Sequence, residues 1–340
     1  MIIALALYLG VTPATPQFKD DRGNVIPESI AVLEEIELGN MKQWISVRGR
    51  DRTNPVLLWL HGGPGSAQMP LAHHLDRSLE REFVVVHWDQ RGAGKSNHCG
   101  FDIKTMSVEQ FKDDARELIA YLQDLLGQER VYLLGHSWGT LLGIELAAED
   151  PDLFHAYIGV SQVVDNQRAE RIAYNWLLEE IEQNDNREDL GKLQAIGEPP
   201  YNHNEYRNLA RLVAAYGGNF DVELWQLALV AAKAPEYTFI DYFRMLDGMT
   251  RGGGPLHDES KMMQFNFIEQ VPAAEIPVYF LIGAKDYNTP LELVEKYYKV
   301  IDAPQKGLVV FEKSAHTPFY RENDQFNRSI IEIKAGTYLQ

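Results

Sequence analysis

The sequence predicts an α/β fold, a mostly parallel sheet interrupted by a helical insertion of about a hundred residues. Two observations carry this reading. Short apolar runs alternate with amphipathic helical patterns up to about residue 164, give way to helix and loop patterns over 165–270, and return from about residue 271. One of the runs, Val131-Tyr132-Leu133-Leu134, ends in Gly135-His136-Ser137-Trp138-Gly139, and helix-forming residues follow from Leu141 to Glu149. A G-x-S-x-G between strand and helix reverses the backbone so sharply that only glycine fits beside the serine, and it lifts the hydroxyl clear of the sheet.

Taken in order, residues 1–28 form an apolar segment and linker. Ile2 to Val11 is an uninterrupted apolar run, too short to span a bilayer and preceded by no Lys or Arg. It reads either as a hydrophobic arm packed on the protein or as the remainder of an export or anchor segment; Thr12-Pro13-Ala14-Thr15-Pro16 is an extended linker. A cytoplasmic location is expected, with export or anchoring as the alternative, and membrane contact is expected only through this segment.

The first part of the core spans 29–164. Ile30–Leu38 and Met41–Val47 are strands around the hairpin signal Gly39-Asn40. Val56–Leu60 and Phe83–Trp88 are continuous apolar runs, as expected of strands covered on both faces. From Ser107, a candidate N-cap, to Leu126 the apolar residues Phe111, Ala115, Leu118, Ile119, Leu122 and Leu126 keep helical spacing. Tyr157–Val164 is the next strand. In the insertion, 165–270, helices are expected around Ile172–Ile181, over Leu224–Ala232 and over Tyr237–Leu246, with loops or hinges at Glu198-Pro199-Pro200 and Gly252-Gly253-Gly254-Pro255. The second part of the core, 271–340, has strands at Val278–Ile282 and Leu308–Phe311 and helices at Pro290–Val300 and Asp324–Lys334.

Composition narrows the function. The net charge of −17, with no Lys/Arg-rich run, argues against nucleic acid or an anionic membrane surface as partner. The single cysteine, Cys99, excludes an intrachain disulfide and reads as an ordinary free thiol. No paired-cysteine or His-Glu-x-x-His spacing indicates a metal, and no cofactor is expected.

A serine hydroxyl needs a base beside it, and the base needs an acid to orient it. Asp286 and His316 each follow a late strand, so a parallel sheet brings both to the rim that carries Ser137. Glu312 and Asp258 compete with Asp286 for the acid, whereas His61, His87 and His136 lie in or beside strands and motifs and read as structural. The backbone N–H of Trp138 and that of Gly63, in the loop His61-Gly62-Gly63-Pro64-Gly65, are the candidate oxyanion donors.

Those motifs, with Asp89-Gln90-Arg91-Gly92-Ala93-Gly94-Lys95-Ser96, Gly283–Asp286 followed by Thr289-Pro290, and Ser314-Ala315-His316, together resemble the proline iminopeptidase branch of the α/β-hydrolase superfamily over about residues 30–160 and 271–335. The resemblance implies an α/β-hydrolase fold with an eight-stranded core, a helical cap over the active site, no metal, and Ser137, Asp286 and His316 as the triad. It also implies acidic cap side chains that bind the free amino group of an N-terminal proline. Glu179 and Glu180, beside Trp176 and Leu177, are the candidates; the alternative is two exposed helix acids. The function expected is a serine hydrolase acting through an acyl-enzyme on a small molecule or short peptide, an aminopeptidase first, with a carboxylesterase or lactonase as the alternative.

Overall fold

The computed structural model describes residues 13–98, 100–220, 222–251, 256 and 265–338. The run Ile2–Val11, Cys99, the Gly252–Pro255 loop and Asp258 lie outside these residues.

Eight strands form one sheet: β1 (Ile30–Leu38), β2 (Met41–Gly49), β3 (Val56–Leu60), β4 (Val84–Asp89), β5 (Val131–His136), β6 (Phe154–Val160), β7 (Val278–Gly283) and β8 (Lys306–Phe311). Their order across the sheet is β1-β2-β4-β3-β5-β6-β7-β8. β1 and β2 pair antiparallel from Leu38↔Met41 to Ile30↔Gly49, because Gly39 (φ 53°) and Asn40 (φ 57°) both take the left-handed conformation a two-residue hairpin requires. β2 is antiparallel to β4, and all remaining pairs are parallel. Every residue of β3, β4, β5 and β7 is buried, which explains the apolar runs that make up most of each strand.

Helices cover both faces. In chain order outside the insertion they are α1 (Met69–Leu75), α2 (Val108–Leu126) and α3 (Trp138–Glu149), then, after β7, α9 (Leu291–Val300) and α10 (Asn323–Thr337), with short helical turns between. The Ser107 side chain accepts from Gln110 N–H at 3.2 Å and caps α2 as its sequence signals. The helix then lays Phe111, Ala115, Leu118, Ile119 and Leu122 on one side of the sheet, with Leu58, Leu60, Val84 and Val86. Phe326, Ile330 and Ile333 of α10 pack on the other, with Trp59, Phe83 and Tyr132.

The sixth strand differs from its sequence reading, Tyr157–Val164. It begins at Phe154 and stops at Val160, because Ser161 turns to φ 51° and leads into the insertion. Between β6 and β7 the chain runs through α4 (Asn166–Gln183), α5 (Arg187–Ile196), α6 (His203–Ala215), α7 (Leu224–Ala231) and α8 (Phe239–Arg251). Apolar side chains of α4, α5 and α6, among them Ala173, Leu177, Ile181, Leu193, Leu209 and Val213, form a separate small core. α5 and α6 are not anticipated by apolar periodicity alone. Their start signals are nonetheless present: Asn186 accepts from Asp189 N–H, and Asn202 forms a reciprocal capping box with Glu205.

Candidate active site

β3, β5, β7 and β8 all point the same way, so the segments after their C-terminal ends share one rim. Ser137 follows β5 with φ 52° and ψ −118°, outside the ordinary regions for a residue with a side chain. The neighbours fix this turn. Ser137 N–H donates to Val160 O at 3.0 Å, and Ser137 O accepts Thr140 N–H at 2.8 Å. A Cβ on Gly135 would lie 2.5 Å from Gly139 O, and one on Gly139 would lie 2.2 Å from Leu60 O, so both glycines are required for α3 to approach β3 and β5.

Asp286 follows β7 and His316 follows β8. Here too a close approach aligns the loops, since a Cβ on Gly283 would fall 2.0 Å from Ala315 O. His316 Nδ1 lies 2.8 Å from Asp286 Oδ2. Asp286 is fully enclosed and accepts at Oδ1 from the backbone N–H groups of Asn288 and Thr289, each at 2.9 Å, and at Oδ2 from Thr289 Oγ1 at 2.7 Å. Burial alone would push its carboxyl up, but His316 and these donors outweigh it and hold it below the ordinary range. Asp286 therefore stays ionised, and His316 donates from Nδ1. The competing acid Glu312 is exposed.

The Nε2 side of His316 meets the amide of Asn288 at 3.3 Å. Asn288 Oδ1 accepts from Tyr206 Oη at 3.1 Å, which leaves the Asn288 NH2 to donate to Nε2 and marks Nε2 as an acceptor. Asn288 and Tyr206 line a cleft together with Gly63, Ser137, Trp138 and Asp165. Both candidate oxyanion residues thus border the same space as the serine, and Trp138 opens α3, where backbone N–H groups lack intrahelical acceptors.

Of the histidines read as structural, His61 and His136 support the rim. His61 Nε2 accepts from Gln90 N–H at 3.2 Å, so its proton sits on Nδ1 and is donated to Gly62 O at 2.7 Å. Burial pushes this ring down to about 4, and it stays neutral. His136, pushed down to about 3 chiefly by burial, donates from Nε2 to His316 O at 3.0 Å. Ser161 Oγ reaches the same carbonyl at 3.1 Å. His87 pairs with buried Asp76 at 2.5 Å, away from the cleft.

The insertion holds the same two loops. Asn219 O accepts His316 N–H at 2.9 Å, Gly218 O accepts Tyr287 N–H at 2.7 Å, and Trp176 stacks on Tyr287 with ring centres 3.9 Å apart. Glu179 is exposed and Glu180 half-buried, and neither lines the cleft. They stand nine and ten residues beyond Glu170, about two and a half turns further along α4. The acids that α4 does bring near the site are Asp165 and Glu170. Asp165 lines the cleft but caps the helix through Arg168 N–H and pairs with the Arg168 guanidinium at 3.2 Å. Glu170 lines a smaller adjoining space that shares Asn166, Ala169, Tyr206 and Asn288 with the cleft. It accepts from Asn166 Nδ2 at 3.0 Å and Tyr201 N–H at 3.3 Å, and among the described residues it has no cationic partner. Burial, only partly offset by those two donors, pushes it up to about 7. Among the described residues, no group of three His, Cys, Asp or Glu side chains is placed to hold a metal ion, and no helix is long and apolar enough to cross a membrane.

Sequence reasoning does not single out Asn288, Tyr206 or Glu170, and gives Thr289 only as part of the family pattern. A signal for two of them exists: an Asp followed by polar residues two and three positions on, before Pro290, is the pattern of a side chain folding back on its own backbone N–H groups.

A model of the alpha/beta hydrolase fold family matches residues 55–322. The chain is 35% identical over 315 residues to the probable aminopeptidase YbaC of Bacillus subtilis, covering 90% of this chain and 98% of that one. It is 25% identical over 279 residues to the proline iminopeptidase of Heyndrickxia coagulans, covering 80% and 87%. In structure it resembles the proline iminopeptidase of Mycobacterium smegmatis, with a TM-score of 0.65 at 20% identity over 90% of this chain and 98% of that one. The chain is a hydrolase of the α/β-hydrolase family and belongs to its proline iminopeptidase-like branch.

Proposed function

We propose that this protein is a serine aminopeptidase that releases an N-terminal residue, proline foremost, from short peptides or amides. The observation that carries the reading is the placement of His316: its Nδ1 lies 2.8 Å from Asp286 Oδ2, and its Nε2 meets the amide of Asn288, which lines the cleft together with Ser137. In the reaction Ser137 Oγ attacks the substrate carbonyl and its proton passes to His316 Nε2. The N–H groups of Gly63 and Trp138 receive the oxyanion. His316 then protonates the leaving amine, and a water, deprotonated by the same nitrogen, cleaves the acyl-enzyme.

Glu170 supports the amino-terminal preference. A carboxylate without a cationic partner, enclosed beside the cleft, gains most from an incoming ammonium, which would restore its ionised form and satisfy its remaining oxygen lone pairs. Glu170 replaces Glu179 and Glu180 in this role.

The test compares a proline arylamide, its N-acetylated counterpart, a p-nitrophenyl ester and a homoserine lactone on the wild-type protein. The free-amine arylamide should have the highest kcat/KM, about a hundredfold above the acetylated compound. Turnover of the ester or lactone with none of either arylamide would replace the aminopeptidase reading by the esterase or lactonase one.

A further inference from the structure

The helix α8 is seated inside out. Its Asp241 is buried in an ion pair with Lys95 at 2.8 Å, and Gly248 packs so closely on the core that a Cβ would lie 2.5 Å from Gly92 O. The opposite side carries Ile240, Phe243, Leu246 and Met249, spaced three apart and 47–58% exposed. Neighbouring α7 adds Trp225 and Leu229, 60% and 56% exposed. Tyr242 Oη donates to Ala231 O, so α7 and α8 adjoin at this end, and exposed apolar side chains on both mark surfaces that something covers. None of these side chains lines the cleft, so substrate does not account for them.

The covering element is indicated by the path of the chain. Ala14 N–H donates to Pro235 O at 3.2 Å, and buried Thr15 Oγ1 donates to buried Glu236 Oε1 at 2.8 Å. Pro235 and Glu236 lie in the connection between α7 and α8, so the chain upstream of residue 13 departs from the junction of the two helices that form the patch. That upstream chain holds the apolar run Ile2-Ile3-Ala4-Leu5-Ala6-Leu7-Tyr8-Leu9-Gly10-Val11. Ten residues reach about 33 Å when extended, and a helix of the length of α8 spans only about 20 Å. We propose that Ile2–Val11 docks on the exposed apolar face of α7 and α8 of its own chain, covering both apolar surfaces at once. The net charge of −17 is consistent with this occupant, since an anionic lipid surface would repel the molecule.

The experiment measures hydrogen exchange over 224–231 and 239–251 in the full chain and in a variant lacking residues 2–11. Exchange there should be about tenfold slower in the full chain, the same at a tenfold higher protein concentration, and unaltered by phosphatidylcholine vesicles. Equal exchange in both proteins overturns the proposal. Protection that appears only at the higher concentration assigns the patch to a second copy, and protection that appears only with vesicles assigns it to lipid; either result also overturns it. A reciprocal variant, Phe243→Asp with Leu246→Asp in the full chain, keeps the question decidable should the deletion fail to fold. Chymotryptic cleavage after Tyr8 or Leu9 should accelerate about tenfold in that variant, and an unchanged rate contradicts docking.

Discussion

In its proposed role, Glu170 couples substrate recognition to stability. Its ordinary value is 4.5, and in the folded protein burial raises it to about 7, so folding takes up a proton between those limits. The folded state then binds more protons than the unfolded one, and stability falls as pH rises through that window. Glu170→Gln removes the group that must lose its proton. The variant should be more stable than the wild type at pH 8 by about 1–3 kcal/mol, allowing for partial screening, and indistinguishable from it at pH 4.5, as read from urea midpoints. In kinetics it should raise KM for a free-amine arylamide about tenfold or more and leave a neutral ester unchanged. Equal effects on the two substrates would remove Glu170 from amine recognition. The stabilising and the functional effects have opposite signs, as expected of a residue kept for binding at a cost in stability.

At the scale of elements, the junction of β5 and α3 depends on Gly139. In Gly139→Ala the added methyl would meet Leu60 O, and α3 could be accommodated only by moving off β3. The cost should be about 1–3 kcal/mol, seen as a lower urea midpoint, with a fall in kcat beyond what lost stability explains, because Ser137 moves with the helix. An unchanged kcat would show that the turn tolerates displacement. This junction was legible in the sequence because its constraint is local: the glycines, the serine and the apolar run are contiguous. Asp286 and His316 were legible for a related reason, each standing a few residues past a strand recognisable by composition, and a parallel sheet does the rest. The limits of β6 were not legible, since Ser161 ends the strand through hydrogen bonds to Leu281 O and His316 O that are distant in sequence. Glu170 is less legible than Glu179 and Glu180 because acids on one helix differ only in what packs against them. The apolar stripe places α4 but not the direction from which the cleft approaches it.

In the whole molecule, the insertion is tied to the core by buried polar contacts as well as apolar ones. Lys95 Nζ, over the Trp44 ring at 4.4 Å, pairs with Asp241, while Asn97 Nδ2 reaches Arg244 O at 2.8 Å and Asp247 Oδ2 at 2.9 Å. Asp241→Ala strands the Lys95 charge in the interior and should cost about 3–5 kcal/mol. The double change Lys95→Met, Asp241→Ala should recover most of it, and additive losses in that cycle would contradict a paired role. Held in this way, the insertion delivers Asn219 O to His316 and Tyr206 to Asn288, so the site is completed by both parts of the chain. The central claim, that Ser137 is the nucleophile of this site, is tested most directly by treating the protein with a fluorophosphonate and mapping the adduct by peptide mass spectrometry. A single adduct on Ser137 should form in step with loss of hydrolysis, be absent from Ser137→Ala, and accompany a fall in kcat/KM of about 10⁴-fold in that variant. Complete inactivation with the label on another residue, or a tenth of the activity surviving in Ser137→Ala, would contradict it.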